Sequence, residues 1–352
     1  MLTAEQVKAR AREIGFDLCG IAPAVAWPEL GFFCEWLARG YAGTMGYLPR
    51  TARVREDVRQ VLPSARSVIA TATLYHSDRP LSIESTDEEA AIVSRYAWGN
   101  DYHEVIGRRL ETLIAWMRGQ ASGPFEARAY VDTGPVQERV YAQAAGLGWI
   151  GKNTCLISPE LGSWLFLAEV ITDLALQPDA PGLDQCGTCT LCLEACPTSA
   201  LVEPGVLDAT RCLSYLTIEL KQAIPEPLRE ALGRHVYGCD ICQDVCPWNQ
   251  AAPVSAGQEW LPRPGLDAPR LADLWRQDDE ALRRLTDGSP MTRPRLTGLR
   301  RNVAVAMGNS RAPGVGRELE RPDPAGDSPS RDDPMVREHL EWARRRMREG
   351  EP

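Results

Sequence analysis

The 352-residue sequence has no apolar run approaching the ~18 residues that a membrane span needs. Its opening, MLTAEQVKARAREIGFDLCG, reads as a polar amphipathic helix start and lacks the apolar centre of a secretory leader. A soluble cytoplasmic protein is the expectation, in a compartment where cysteines stay reduced and free for metal. No G-x-G-x-x-G and no P-loop occurs, so a Rossmann or Walker nucleotide site is unsupported. Basic residues are in the minority, 39 against 48 acidic, for a net charge of −9. That balance argues against a broad phosphate-binding face but permits a local basic stripe. Arginines gather at Arg50, Arg53, Arg55 and Arg59 and again at Arg293, Arg295, Arg300 and Arg301. For both groups, ordinary solvated surface is the simpler reading.

What the chain does have is cysteine in two ferredoxin-type runs. CGTCTLCLEACP places Cys186, Cys189, Cys192 and Cys196 at C-x2-C-x2-C-x3-C, with Pro197 behind. CDICQDVCP places Cys239, Cys242 and Cys246 before Pro247. The first spacing is that of bacterial [4Fe–4S] proteins, in which the fourth cysteine serves the other cluster. The second run lacks a fourth cysteine, and Cys212, between the runs, can supply it. The expected ligand sets are Cys186, Cys189, Cys192 and Cys246 for one cluster, and Cys196, Cys212, Cys239 and Cys242 for the other. Structural zinc normally takes four ligands in two pairs, and disulfide scaffolds belong to small secreted chains, so neither fits as well. Cys19, Cys34 and Cys155 remain, and are expected to be buried small hydrophobes.

The preceding residues alternate helix and strand patterns. Helices are expected at 3–14, 30–39, 103–120 and 136–147, and strands near 17–21, 67–75 and 125–132. Residues 154–174 read as a hairpin across the turn 159–163. This is an α+β domain, too large to be a mere ferredoxin leader. The expected division is 1–178 for that domain, 179–255 for a ferredoxin-like two-cluster domain, and 256–352 for a helical remainder. In the last, RRNVAVAMGNS and VREHLEWARRR resemble one HEAT-like helix pair. A single pair cannot stand alone and should dock on the preceding domain. Residues 313–333 read as irregular.

Four segments together carry a resemblance: SRYAWGNDYH (94–103), YVDTGPVQERVYAQAAGLGWIGKNTCLIS (130–158), RCLSYLTIEL (211–220) and GCDICQDVCPWN (238–249). Over nearly its whole length the chain resembles the epoxyqueuosine reductases, cobalamin-dependent iron–sulfur enzymes of queuosine tRNA modification. The resemblance implies a cobalamin-binding N-terminal domain and reduction of an epoxide on a modified guanosine at the tRNA wobble position. Two electrons and two protons give an alkene and water. Low-potential clusters would pass electrons to cobalt, and an acid must protonate the departing oxygen. The resemblance further implies a partner tRNA carrying epoxyqueuosine, an external electron donor and a monomeric, cytoplasmic enzyme.

Asp132 is the candidate acid, at a strand end before a Gly-Pro turn. A water-poor pocket is expected to raise its pKa and keep it protonated. The plain alternative is that Asp132 or Thr133 caps the following helix. The resemblance places cofactor-binding roles on Arg55, Ala97, Asp132, Gln137, Arg139, Gly151, Lys152, Asn153, Thr154, Ser158 and Ser214. Ser214 and Tyr215 are expected at the boundary between cobalamin and a cluster, and Trp248 as a cluster shield. DYHEVIG falls one position short of the D-x-H-x-x-G motif of proteins that ligate cobalt through histidine, so His103 is not read as a cobalt ligand. The arginines at 293–301 and the last helix are expected to meet tRNA phosphates. Reductive dehalogenation on the same layout is a rival reading, although no twin-arginine leader is seen. A bare electron carrier would not need the large N-terminal domain, and a tRNA-binding scaffold with structural clusters would not need Asp132.

Overall fold

The computed structural model describes residues 2–322 and 328–350. Helix α1 (Ala4–Ile14) starts at a reciprocal Thr3–Gln6 capping box and stops at Gly15, φ 105°. It leads into a four-stranded antiparallel sheet of β1 (Leu18–Pro23), β2 (Ser67–Leu74), β3 (Ala127–Tyr130) and β4 (Leu165–Thr172). The spatial order is β1-β2-β4-β3. Both faces of the sheet are covered, which is why β2 is buried at every position. On one face, α1 and α2 (Tyr102–Gln120) pack over Ile21, Ile69, Ala168 and Val170. On the other, α3 (Glu138–Ala144) packs over Ala70, Ala72 and Ile171. One residue breaks the apolar rule: Glu169, opposite Ala70 and Tyr130 in the middle of β4, is 1% exposed.

The hairpin expected over 154–174 is reduced to a single antiparallel bridge, Ser158–Gly162, across the expected turn. Leu156–Ile157 pairs with Trp149–Ile150 instead. β4 has β2 on one edge and β3 on the other, so its ladder groups are already used.

The cysteine loops follow, each carrying a short helix, Leu191–Ala195 and Ile241–Asp244. In the C-terminal part, α4 (Arg295–Asn309) and α5 (Pro334–Gly350) pack tightly. A Cβ added at Gly308 would meet Ala343 Cα at 2.7 Å. The pair shares one core with Leu216, Val236 and Tyr237, so it docks on the preceding part as expected. The stretch read as irregular contains a helix, Pro313–Glu320; residues 323–327 of it lie outside the described residues. Among the described residues, no helix is long and apolar enough to cross a membrane.

The arginine stripe is also corrected. Arg300 and Arg301 are each 0% exposed. Arg301 donates to the carbonyls of Leu220 (2.8 Å), Gln222 (2.5 Å) and Leu216 (2.6 Å). Arg300 donates to those of Leu274 (2.9 Å) and Trp275 (2.6 Å). They close off segment ends internally and are not available to phosphate. Arg293 is tied to Glu219, at 3.0 Å, while Arg295 is exposed.

Candidate active site and cluster cavities

Cys186, Cys189, Cys192 and Cys246 line one small cavity of about 40 Å³, with Lys152, Ile157 and Trp248 among its other walls. The thiols surround a void and not a point: among the described residues no three His, Cys, Asp or Glu side chains close on a single-ion position. Trp149 Nε1 donates to Cys186 Sγ at 3.4 Å, and Trp149 meets Trp248 edge-on at 4.9 Å. Trp248 thus sits where a cluster shield was expected. Lys152 Nζ donates to the carbonyls of Gly187 (2.6 Å) and Cys189 (2.8 Å), which fixes the first cysteine loop.

Cys196, Cys212, Cys239 and Cys242 form a second group. Burial pushes the Cys239 thiol well up, and Cys212 and Cys196 add to the effect. Cys242 is raised by a hydrogen bond with Cys155 and by burial. Cys155 therefore lies against an expected ligand and is not simply a core hydrophobe, and Cys34 is exposed, while Cys19 is buried as expected. Thiols packed this closely in dry surroundings are a soft donor set that iron would neutralise in place of protons.

The second cysteine loop is bolted to the SRYAWGNDYH segment. Asp240 accepts from Ser94 Oγ and from Arg95 N at 2.7 Å. Gly238, φ 66°, lies so close that a Cβ would meet Ser94 Cβ at 2.4 Å. Only glycine satisfies both conditions. Asn153 Nδ2 reaches the Cys242 carbonyl at 3.3 Å from the other side.

Asp132 occupies the turn between β3 and α3. It does not cap the helix: α3 begins at Glu138, behind Gln137, with no side-chain cap. Thr133 likewise bonds backward, Oγ1 to Val131 O at 3.3 Å. The Asp132 side chain is 59% exposed, with His103 Nε2 at 3.4 Å from Oδ2. Tyr102 Oη donates to the same oxygen at 2.9 Å. Burial pulls the Asp132 carboxyl up, but the close His103 contact, the hydrogen bond from Tyr102 and the imidazolium charge outweigh it, and the net shift is downward. The expected rise is thus reversed where the side chain stands open to solvent. Burial would lower His103, but Asp101, at 2.7 Å from Nδ1, and Asp132 raise it to about 9. At neutral pH the proton sits on His103.

Tyrosines join this turn to the second cysteine loop. Tyr102 meets Tyr96 edge-on at 6.1 Å, and Tyr96 Oη donates to Tyr237 Oη at 3.0 Å, one residue before Gly238.

The remaining candidates divide into three groups. Arg55 Nη1 donates to Val136 O (2.8 Å), and Gln137 Nε2 to Arg55 O (3.2 Å), so these two brace the base of the Asp132 turn. Arg139 Nη1 donates to Thr154 O at 2.5 Å. Thr154 has φ 67°, unusual strain for a β-branched residue. Gly151 is pressed so close that a Cβ would meet Ile157 Cδ1 at 2.4 Å. Ala97 is fully buried, and Ser158 accepts from the amides of Glu160 and Leu161, both at 3.3 Å. Ser214 and Tyr215 bond the Cys212 thiol, and Tyr215 Oη accepts from Thr44 N at 2.9 Å. The larger groove, about 690 Å³ and lined by Arg283, Asp287, Thr292 and Arg295, contains none of the candidates. Sequence reasoning missed Tyr102 and Glu138 as partners of Asp132, and His103 in its actual role. A signal was present: all three stand inside two of the four segments that carried the resemblance, and Glu169 is a lone acid in the apolar strand LFLAEVIT.

The fold and the two cysteine groups define an iron–sulfur oxidoreductase whose cluster module is built against an α+β domain with an acidic turn. Residues 185–249 match the family model of a 4Fe-4S double cluster binding domain, and residues 55–133 that of epoxyqueuosine reductase QueG, DUF1730. The chain is 46% identical over 320 residues to epoxyqueuosine reductase of Gloeobacter violaceus, covering 88% of this chain and 97% of that one. The chain belongs to the epoxyqueuosine reductase family. A crystal structure of an epoxyqueuosine reductase with an epoxyqueuosine-modified tRNA-Tyr stem loop is 30% identical, with a TM-score of 0.83, covering 97% of this chain and 89% of that one. The Bacillus subtilis enzyme, in a structure with its catalytic aspartate loop swung out of the active site, is 30% identical with a TM-score of 0.81, covering 96% and 88%.

Proposed function

We propose that this chain reduces the epoxide of epoxyqueuosine at the wobble position of a tRNA to the alkene of queuosine, with cobalamin and two [4Fe–4S] clusters as cofactors and Asp132 as the proton donor. One observation carries the reading: a carboxylate stands exposed, facing what we take as the substrate cleft, while tyrosines tie its turn to the loop of Cys239 and Cys242.

Arg55, Gln137, Arg139 and the 151–154 turn surround that cleft's base, and the tight packing at Gly151 fits close approach of backbone to a large flat cofactor. Bound cobalamin would supply a strong nucleophile or reductant, fed one electron at a time through the clusters. Asp132 reaches the departing oxygen, and His103 behind it holds the proton at rest. A substrate base filling the cleft would exclude water, strengthen the His103–Asp132 contact and bring the proton to the carboxyl. Tyr102 fixes which Asp132 oxygen is free. Two protons and two electrons leave alkene and water, and the electrons come from an external donor. The exposed Arg295 and the groove beside it suit contact with tRNA phosphate. The three-part division at 178 and 255, a monomeric state and a cytoplasmic location belong to the same proposal.

Adding cobalamin to anaerobically purified chain should change the corrin absorption spectrum at one equivalent. The loaded protein should convert epoxyqueuosine-tRNA to queuosine-tRNA with a chemical reductant. An unchanged corrin spectrum, or turnover independent of cobalamin, would contradict the reading.

A further inference from the structure

Behind the Asp132 turn stand two carboxyl groups that the reaction above does not use. Neither side-chain oxygen of the buried Glu169 meets a hydrogen-bond donor among the described residues. The group beside it is the Glu138 carboxyl, which interacts with it closely enough to raise it. A buried carboxyl and a half-buried one side by side are not both ionised without a donor between them, so the pair keeps a proton. Glu138 Oε1 in turn accepts from the Asp132 backbone N–H at 2.5 Å. Asp132 holds φ 56°, in the left-handed region, and the turn is closed by Thr133 N to Val131 O at 2.5 Å. Aspartate tolerates that region better than most non-glycine residues, and the grip on its amide adds to what keeps it there.

We propose that Glu169 and Glu138 form a proton-sharing latch that holds the Asp132 turn in the cleft. Neutral Glu169 donates to Glu138, and Glu138 grips the Asp132 amide. Both are positioning residues, since neither is called on to touch substrate. The inference rests on Asp132 being the acid. The groups facing the pair are Asp132 in the turn, Tyr102 on α2, Arg55 on the helix Ala52–Arg55, and Arg139 and Tyr141 on α3. Burial, then the nearby negative charges, raise both carboxyls, while Arg139 and Arg55 offset part of this. Once rising pH removes the shared proton, two adjacent like charges, one of them buried, oppose each other and the latch opens.

The test uses the full-length, cluster-loaded chain under anaerobic conditions. Hydrogen exchange of the peptide carrying Asp132 reports the turn, and single-turnover rates across pH report the chemistry. Glu138→Ala should raise exchange several-fold and lower the single-turnover rate while leaving tRNA affinity nearly unchanged. Glu138→Gln, whose amide oxygen still accepts, should restore most of both. Glu169→Gln donates without titrating, so it should keep the turn protected and move the alkaline fall in rate to higher pH. An unchanged turn in Glu138→Ala, or an unmoved alkaline limb in Glu169→Gln, overturns the latch. Asp132→Asn separates the two claims. Normal turnover by that variant, with the turn still freed by Glu138→Ala, defeats the acid and spares the latch. Lost turnover, with the turn still closed in Glu138→Ala, does the reverse.

Discussion

The surroundings of the Cys186–Cys246 group and those of Asp132 lie in one chain and are built by opposite rules. Around Cys186 and Cys246 the walls are Trp149, Trp248 and Ile157, with an indole N–H aimed at sulfur. Around Asp132 the neighbours are an imidazole, a phenol and two further carboxyls, and the side chain stays open to solvent. Electrons move between centres that a dry, poorly reorganising medium isolates. Protons need groups that titrate and a route to water. A reaction that consumes both in equal number is served by keeping the two surroundings apart and joining them through a short aromatic contact, Tyr102–Tyr96–Tyr237.

The largest effect should come from breaking the electron side alone. Cys212→Ser should reduce iron from about eight to about four per chain, since each cubane holds four. The spectral response to cobalamin should survive, because Arg55, Gln137 and Arg139 are held by hydrogen bonds that do not involve Cys212, and Ser keeps the shape of the side chain beside Ser214. Retention of both clusters, by iron assay and EPR, would refute the ligand assignment.

A smaller effect isolates the proton side. The His103 pKa in the fold, about 9, lies above the ordinary 6.5. Its contribution to stability is therefore complete below pH ~6.5 and disappears as pH rises through the folded value. His103→Gln should cost roughly 1–2 kcal/mol at pH 6, discounted because solvent reaches the side chain, and almost nothing in alkaline buffer. Denaturant titrations at both pH values check this, and a pH-independent loss would show packing, not charge, as the cause. The cluster spectra should not change.

The smallest effect belongs to the surface outside both sites. Arg295→Glu should raise the apparent KM for tRNA a few-fold and flatten its salt dependence, because one phosphate contact is lost. An identical salt slope would move the tRNA contact elsewhere.

How much of this was legible in the sequence follows the same division. Cluster ligands are set by short loops, so C-x2-C-x2-C-x3-C declared three members of the first group and one of the second, and Cys212 was brought in because the second run lacked a fourth cysteine. Helix α1 and strand β2 were legible from local pattern. Strand order was not: Leu156–Ile157 and β4 are adjacent in the chain, yet each pairs with a strand remote from the other. Arg300 and Arg301 look like surface by residue type, and only the fold reveals the carbonyls they satisfy. Asp132 was found through its motif, but the direction of its pKa depends on His103 and Tyr102, some thirty positions earlier in the chain. No periodicity encodes that meeting.

The most direct measurement of the central claim is a single turnover of epoxyqueuosine-tRNA by pre-reduced, cobalamin-loaded Asp132→Asn. Asparagine keeps the shape and the left-handed tolerance of aspartate while removing the transferable proton. The account predicts two intact cluster EPR signals, unchanged cobalamin binding and a rate lower by ~10²–10⁴-fold, the usual share of a general acid. A rate near that of the unaltered enzyme, with clusters and cobalamin in place, would contradict it.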